Sequence, residues 1–211
     1  MEKAQPSGWF YHLSPHLMLC THLPPGRPPP AEQVLWLKSQ EAFPAGHPTT
    51  RLCLDLLRQA VAAQAVGRVL DLGCGVGVLS LAAAALGASR VLGIDISRKA
   101  ALATRENTRE NALAGLISVA QGSSECLKGP FDLVLANLPW EVQMDKVTEL
   151  DRLAAPQGRL ILSGFRDNQE DPLIESYLDL GWAVNQRLAK PFRHPELPAD
   201  LSFTWVAWLL Q

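Results

Sequence analysis

The sequence predicts an α/β fold, a parallel sheet covered by helices, on three observations. From about residue 48, helical and strand patterns alternate, the signature of crossover units. A short apolar run, Val69-Leu70-Asp71-Leu72, ends in glycines and is followed by an alanine-rich helix over Val78 to Leu86, closed by Gly87, which makes a first β-loop-α unit. And 211 residues at 47% hydrophobic and 19% charged suffice for one domain with a sizeable core and a short appendage.

The elements follow in order. Seven of the 16 prolines fall in the first 30 residues, and Pro24 to Pro30 forms a connector unable to donate regular backbone hydrogen bonds. Before it, Trp9, Phe10, Tyr11, Leu13, Leu17, Met18 and Leu19 are too apolar for a free tail, so a short strand or helix packed on the main body is expected. Val34-Leu35-Trp36-Leu37 reads as a further strand. Residues 1–45 are thus an N-terminal extension or linker, and 46–211 the main domain. Pro48-Thr49-Thr50 offers capping hydroxyls to a helix whose Cys53, Leu56, Leu57, Ala60 and Val61 share one face. Val91 to Asp95 is a second strand, and Ser97 caps a helix running towards Asn111. Ile117 to Ala120 and Phe131 to Ala136 read as strands three and four. Helices at about 141–154 and 171–180 flank a fifth strand, Arg159 to Ser163, with Asp171-Pro172 as cap and first helical position. Trp182 to Val184 and Phe203 to Leu209, joined by a turn containing Pro191, Pro195 and Pro198, should pair antiparallel.

Nineteen basic against 21 acidic residues give a formal charge of −2, with no long run of one sign, which argues against whole-protein capture of nucleic-acid phosphates. Cys20, Cys53, Cys74 and Cys126 are far apart, without a C-x-x-C pair, so reduced thiols are expected rather than a disulfide framework. His12, His16 and His22 have irregular spacing and no partnering ligands, so no metal is expected. No leader-like apolar segment follows a basic start, and no uncharged run reaches the ~18 residues of a membrane span. A cytoplasmic location without membrane contact follows.

The chemistry concentrates in Asp71-Leu72-Gly73-Cys74-Gly75-Val76-Gly77, between strand and helix, where small residues let backbone approach a ligand. A dinucleotide site wants G-x-G-x-x-G, but here the third glycine comes one residue early; no G-K-[ST] follows either. What remains is D-x-G-x-G-x-G, suited to a cationic, phosphate-free ligand with an amino group; without a ligand, the glycines would be a tight β-α turn. Asp95, next to Ile96 and 22 residues after Gly73, ends the second strand, where a carboxylate can take both hydroxyls of a ribose. Alone, it could equally be a helix cap.

Asp71 to Gly77, Gly93-Ile94-Asp95 and Asn137-Leu138-Pro139-Trp140 resemble the class I S-adenosylmethionine-dependent methyltransferases over about residues 48–211. The resemblance implies a Rossmann-like seven-stranded sheet with the last strand antiparallel, and S-adenosylmethionine bound with its methionine end over Asp71, Gly73, Cys74, Gly75 and Gly77. It further implies ribose at Asp95 and Ile96, and adenine near Ser123. Methyl transfer from a sulfonium is an in-line displacement, so the enzyme must hold a neutral nitrogen lone pair at about 3 to 3.5 Å from the methyl carbon. The Asn137 side-chain oxygen and Leu138 carbonyl could accept both hydrogens of an amine, Pro139 would fix the turn and Trp140 would wall off water. Glu141 could orient the incoming ammonium, or simply be an exposed first-turn glutamate.

Ala42 to Leu54 and Gly158 to Gly164 resemble the bacterial ribosomal-protein lysine methyltransferases (PrmA-like). That resemblance places Gly46, His47 and Thr49 near the methionine moiety; as an alternative, His47 is a buried or capping histidine before a helix. Those enzymes carry an N-terminal substrate-recruiting domain, which some 45 residues are too few to form. The expected reaction is N-methylation of a protein side-chain amine such as lysine, releasing S-adenosylhomocysteine. Alternatives are an RNA or DNA base, disfavoured by the acidic pI near 6.2, a small-molecule amine, and a silent cofactor-binding partner subunit.

Overall fold

A computed structural model describes residues 9–21, 32–38, 45–192 and 203–211. The Pro24 to Pro30 connector, Ala42 to Pro44, and Pro195 and Pro198 of the final turn lie outside them. The lead-in forms a small sheet of β1 (Phe10–His12), β2 (Leu17–Cys20) and β3 (Gln33–Trp36). The main body follows with α1 (Pro48–Ala63), β4 (Arg68–Leu72), α2 (Val78–Ala85), β5 (Arg90–Asp95), α3 (Arg98–Glu110), β6 (Ile117–Gln121) and β7 (Phe131–Asn137). It ends with α4 (Trp140–Leu153), β8 (Ala154–Arg166), α5 (Glu170–Leu178), β9 (Val184–Phe192) and β10 (Phe203–Leu210). The seven-stranded sheet has the order β6-β5-β4-β7-β8-β10-β9, with β10 antiparallel to both neighbours, as expected.

Helices cover both faces because successive strand residues are apolar on alternate sides. Val69, Leu133, Leu135, Ile161, Ala207 and Leu209 face one core with Leu52, Leu56 and Leu81 of α1 and α2. Leu70, Val134, Leu160, Leu162, Val206 and Trp208 face the other, with Leu150 and Leu153 of α4 and Leu173 and Tyr177 of α5. The lead-in joins the first core through Leu13, Leu17, Leu19, Leu35 and Leu37, and the Tyr11 hydroxyl donates to Asp55 on α1. Arg159, buried on β8, donates to the carbonyls of Ala60 (2.6 Å) and Gln64 (3.5 Å), closing the C-terminus of α1. None of the four cysteines is in a disulfide.

Four boundaries differ from expectation. Helix α1 is capped by His47, not by a threonine: Pro48 takes its first position and the His47 ring accepts the Thr49 N–H. Helix α5 starts at Glu170 behind a 3₁₀ turn over Asp167–Gln169, so Pro172 sits inside the first turn, where a missing N–H costs no helical bond. Strand β8 extends back to Ala154 through Pro156-Gln157-Gly158, five residues before the expected start at Arg159. Strand β9 begins at Val184 and carries Pro191, tolerated because β9 is an edge strand.

Candidate functional site

Strand order reverses between β4 and β7, the point at which an open α/β sheet leaves a crevice beyond its carboxyl ends. A cavity of about 640 Å³ lies there, within the roughly 300–1,000 Å³ usual for cofactor sites. Gly73 and Gly75 after β4, Asp95 and Ile96 after β5, Gly122 and Ser123 after β6, and Asn137, Leu138 and Pro139 after β7 line it. His47 and Thr49 close one side from the start of α1.

The loop after β4 is held by its own amides. Gly73 and Cys74 N–H both donate to the Ile94 carbonyl (2.8 and 3.1 Å), Gly77 N–H to the Cys74 carbonyl (2.7 Å), and Gly75 N–H to Asp95 Oδ2 (3.0 Å). These donors are therefore not turned to a phosphate. Gly73 has φ +75°, and a Cβ there would stand 2.4 Å from Leu138 Cδ2, so the two carboxyl-edge loops interlock.

Asp95 also accepts the Ser97 N–H at Oδ1 (2.8 Å), which fixes the carboxylate at the cavity while leaving each oxygen a further lone pair. The cap of α3 is Ser97, whose hydroxyl accepts the Ala100 N–H, so Asp95 does not take the capping role and instead lines the cavity. Among the described residues no lysine or arginine lines the cavity, and burial pushes the His47 imidazole down, away from its charged form. Because the Thr49 N–H can only donate, Nδ1 of His47 is the acceptor, and the neutral ring carries its proton on Nε2.

Asp71 does not line the main cavity. It is buried beneath the loop, accepts the Ser80 hydroxyl at 2.6 Å, and borders a pocket of about 70 Å³ with Cys74, Thr50 and Asn137. Burial raises its carboxyl to about 6, against the opposing pull of Ser80. The folded chain therefore takes up a proton below about pH 6 that the unfolded chain takes up only near pH 4. Stability from this group is full at pH 4 and declines as pH rises to 6. Relative to Asp71→Asn, the parent is expected to lose on the order of 2 to 3 kcal/mol across that window in thermal melts. A parent and variant with parallel profiles would refute this.

Other placements depart from expectation. Gly77 caps α2 and packs on Thr104, outside the cavity. Gly46 faces the Trp9 ring. Trp140 opens α4 but does not wall the cavity: its indole N–H donates to the Gln169 carbonyl at 2.9 Å, and its ring packs against the second core. Glu141 is exposed and is not among the residues that line the cavity. Ser123 lies on the cavity.

Three residues were not foreseen. Trp205 of β10 walls the cavity, its ring 5.0 Å from that of His47; only the pairing of β10 with β8 brings it there. Gly164 of β8 has φ +102°, and a Cβ on it would stand 2.0 Å from the Leu138 carbonyl oxygen. Thr50 Oγ1 lies 3.5 Å from the Asn137 amide nitrogen, which leaves Asn137 Oδ1 as an acceptor.

The sequence model described as ribosomal protein L11 methyltransferase (PrmA) matches residues 20–191. A protein named ribosomal protein L11 methyltransferase from Syntrophotalea carbinolica is 41% identical over 156 residues, 73% of this chain and 51% of its own length. One of the same name from Thermotoga maritima is 36% identical over 155 residues, 73% of this chain and 58% of its own. The chain thus spans between half and three-fifths of these relatives. The crystal structure of a ribosomal protein L11 methylase from Lactobacillus delbrueckii subsp. bulgaricus superposes with a TM-score of 0.74, at 25% identity, over 96% of each chain. A B. subtilis tRNA methyltransferase, at 20% identity and TM-score 0.54 over 72% of this chain and 64% of its own, shares the fold.

Proposed function

This chain belongs to the ribosomal protein L11 methyltransferase (PrmA) family, and from that premise we propose that it is an S-adenosylmethionine-dependent N-methyltransferase acting on a protein side-chain amine, lysine above all. The observation that carries the proposal is the cavity in which the glycine loop, Asp95 and Asn137-Leu138-Pro139 converge with no lysine or arginine among the described residues. Phosphates are disfavoured there, whereas a sulfonium and an ammonium gain from the Asp95 carboxylate and the Asp71 carboxyl beneath the loop. We take residues 46–211 as the catalytic unit, 1–45 as its extension, and the cytoplasm as its place of work.

In this reading Asp95 accepts the ribose hydroxyls, Gly73 and Gly75 leave room for the methionine portion, and Ile96 and Ser123 border the base. His47 and Thr49 cover the methionine end. When bound, S-adenosylmethionine supplies a methyl group on sulfur that is already an activated leaving group. The protein's task is then positioning and desolvation. Asn137 Oδ1 and the Leu138 carbonyl accept the two hydrogens of a neutral amine and aim its lone pair into the cavity, at the near-attack distance of about 3 to 3.5 Å. Pro139 holds the turn, and Trp205, Leu138 and Val142 keep water from the reacting atoms.

Incubating the chain with tritiated S-adenosylmethionine and ribosomal proteins, a ribosomal RNA fraction or small amines tests the acceptor. Label on lysine nitrogens of protein is the expected result, with Asn137→Ala reducing the rate about 100-fold or more. Label confined to RNA or to a small amine would overturn the protein assignment, and no label anywhere would overturn the activity.

A further inference from the structure

Three residues on one side of α3 tie the glycine loop to the lead-in. Thr104, Asn107 and Asn111 are spaced i, i+3, i+7, so they form a single stripe. Thr104 and Asn107 are fully buried. Thr104 Oγ1 donates to the Gly75 carbonyl at 2.8 Å, and Asn107 Nδ2 to the Val76 carbonyl at 2.8 Å. The same Asn107 accepts the Lys38 N–H at 2.9 Å and lies 3.4 Å from the Lys38 carbonyl oxygen. Asn111 accepts the Trp36 N–H and donates to the Trp36 carbonyl, each at 2.7 Å, and donates to the Asn107 carbonyl at 2.7 Å.

The match has a geometric cause. A carboxamide offers the same donor and acceptor as a peptide group, so two of them can stand in for a neighbouring strand. Four residues along a helix rise about 6 Å, and two residues along a strand about 6.6 Å, so Asn107 and Asn111 fall opposite Lys38 and Trp36. Strand β3 bonds to β2 on one edge and to this carboxamide pair on the other. The side chain that completes the lead-in edge thereby also holds the loop that reaches Asp95 through Gly75.

We infer that Asn107 is a positioning residue shared by both, setting the Gly75-Val76 turn while β3 is docked, so that the lead-in strand tunes the affinity of the loop for S-adenosylmethionine. The inference rests on the cofactor reading above, yet part of its test does not. Asn111 is the informative site, because it bonds β3 and its own helix but no loop residue.

Hydrogen exchange of the ligand-free chain, with calorimetry and steady-state rates, would compare Asn111→Ala, Asn107→Ala and Lys38→Ala with the parent. Asn111→Ala is expected to speed exchange at residues 33–38 and also at Gly75 to Gly77. It should raise the Kd and KM for S-adenosylmethionine about 3- to 10-fold and leave kcat at saturation unchanged. Asn107→Ala should raise them further, and the double variant by less than the product of the two, since both act through one chain of bonds. Lys38→Ala breaks only the surface ion pairs to Glu106 and Glu110 and should match the parent. Release of β3 in Asn111→Ala with loop exchange and affinity unchanged would overturn the inference. So would a Lys38→Ala effect as large as that of Asn111→Ala. A parent that binds no S-adenosylmethionine defeats the cofactor reading, and the exchange data then still decide whether strand and loop are coupled.

Discussion

Asp95→Ala is expected to weaken binding of S-adenosylmethionine by about two orders of magnitude or more, measured by calorimetry. The carboxylate would accept two hydroxyl hydrogens, and each hydrogen bond to a charged acceptor contributes roughly 1.5 to 3 kcal/mol. The same side chain anchors the Gly75 and Ser97 amides, so its loss also slackens the loop that the ligand would rest on. Asp95→Asn keeps one acceptor and loses the charge, so it should fall between, at about 10-fold. Stability of the ligand-free chain should drop by only about 1 kcal/mol in either variant. A near-parental affinity for Asp95→Ala would remove the ribose from that carboxylate.

The second large effect is expected from Gly164→Ala, the addition of a single methyl group on β8. At φ +102° an L side chain is strained, and the added Cβ would sit 2.0 Å from the Leu138 carbonyl oxygen. Backbone strain and overpacking together should cost on the order of 3 kcal/mol, a fall of roughly 10 °C in Tm. Relief requires the Asn137-Leu138-Pro139 turn to move, so methyl transfer should fall much more than cofactor binding. Equal losses in both would show that the turn does not set acceptor geometry.

How much of this was legible in the sequence depends on how local the cause is. Strands β4, β5 and β7 and helix α3 are marked by apolar runs, glycines and the Ser97 cap, all acting within a few residues. The side-chain cap from His47 was legible only as an alternative reading, because the adjacent threonines carry the better-known capping groups, while Pro48 at the first helical position signalled where the helix begins. The start of β8 was not legible because Pro156 and Gly158 interrupt the apolar pattern ahead of Arg159, and only the pairing of Ala154 with Phe131 marks it. Gly73, Gly75, Asp95 and Asn137 were expected at the carboxyl edge because they sit at strand ends, and they line one cavity there. Trp140 was misjudged because adjacency in sequence to the turn does not fix where a ring points, and the Gln169 carbonyl draws its N–H away from the cavity. Trp205 reaches the site only through the pairing of β10 with β8, and Gly164 through the pairing of β8 with β7. The roles of Asn107 and Asn111 were equally invisible, since their partners lie about 70 residues earlier in the chain.

The most direct measurement is calorimetric titration of the purified chain with S-adenosylmethionine and with S-adenosylhomocysteine. The account predicts saturable one-to-one binding of both. A folded chain that takes up neither ligand would contradict it.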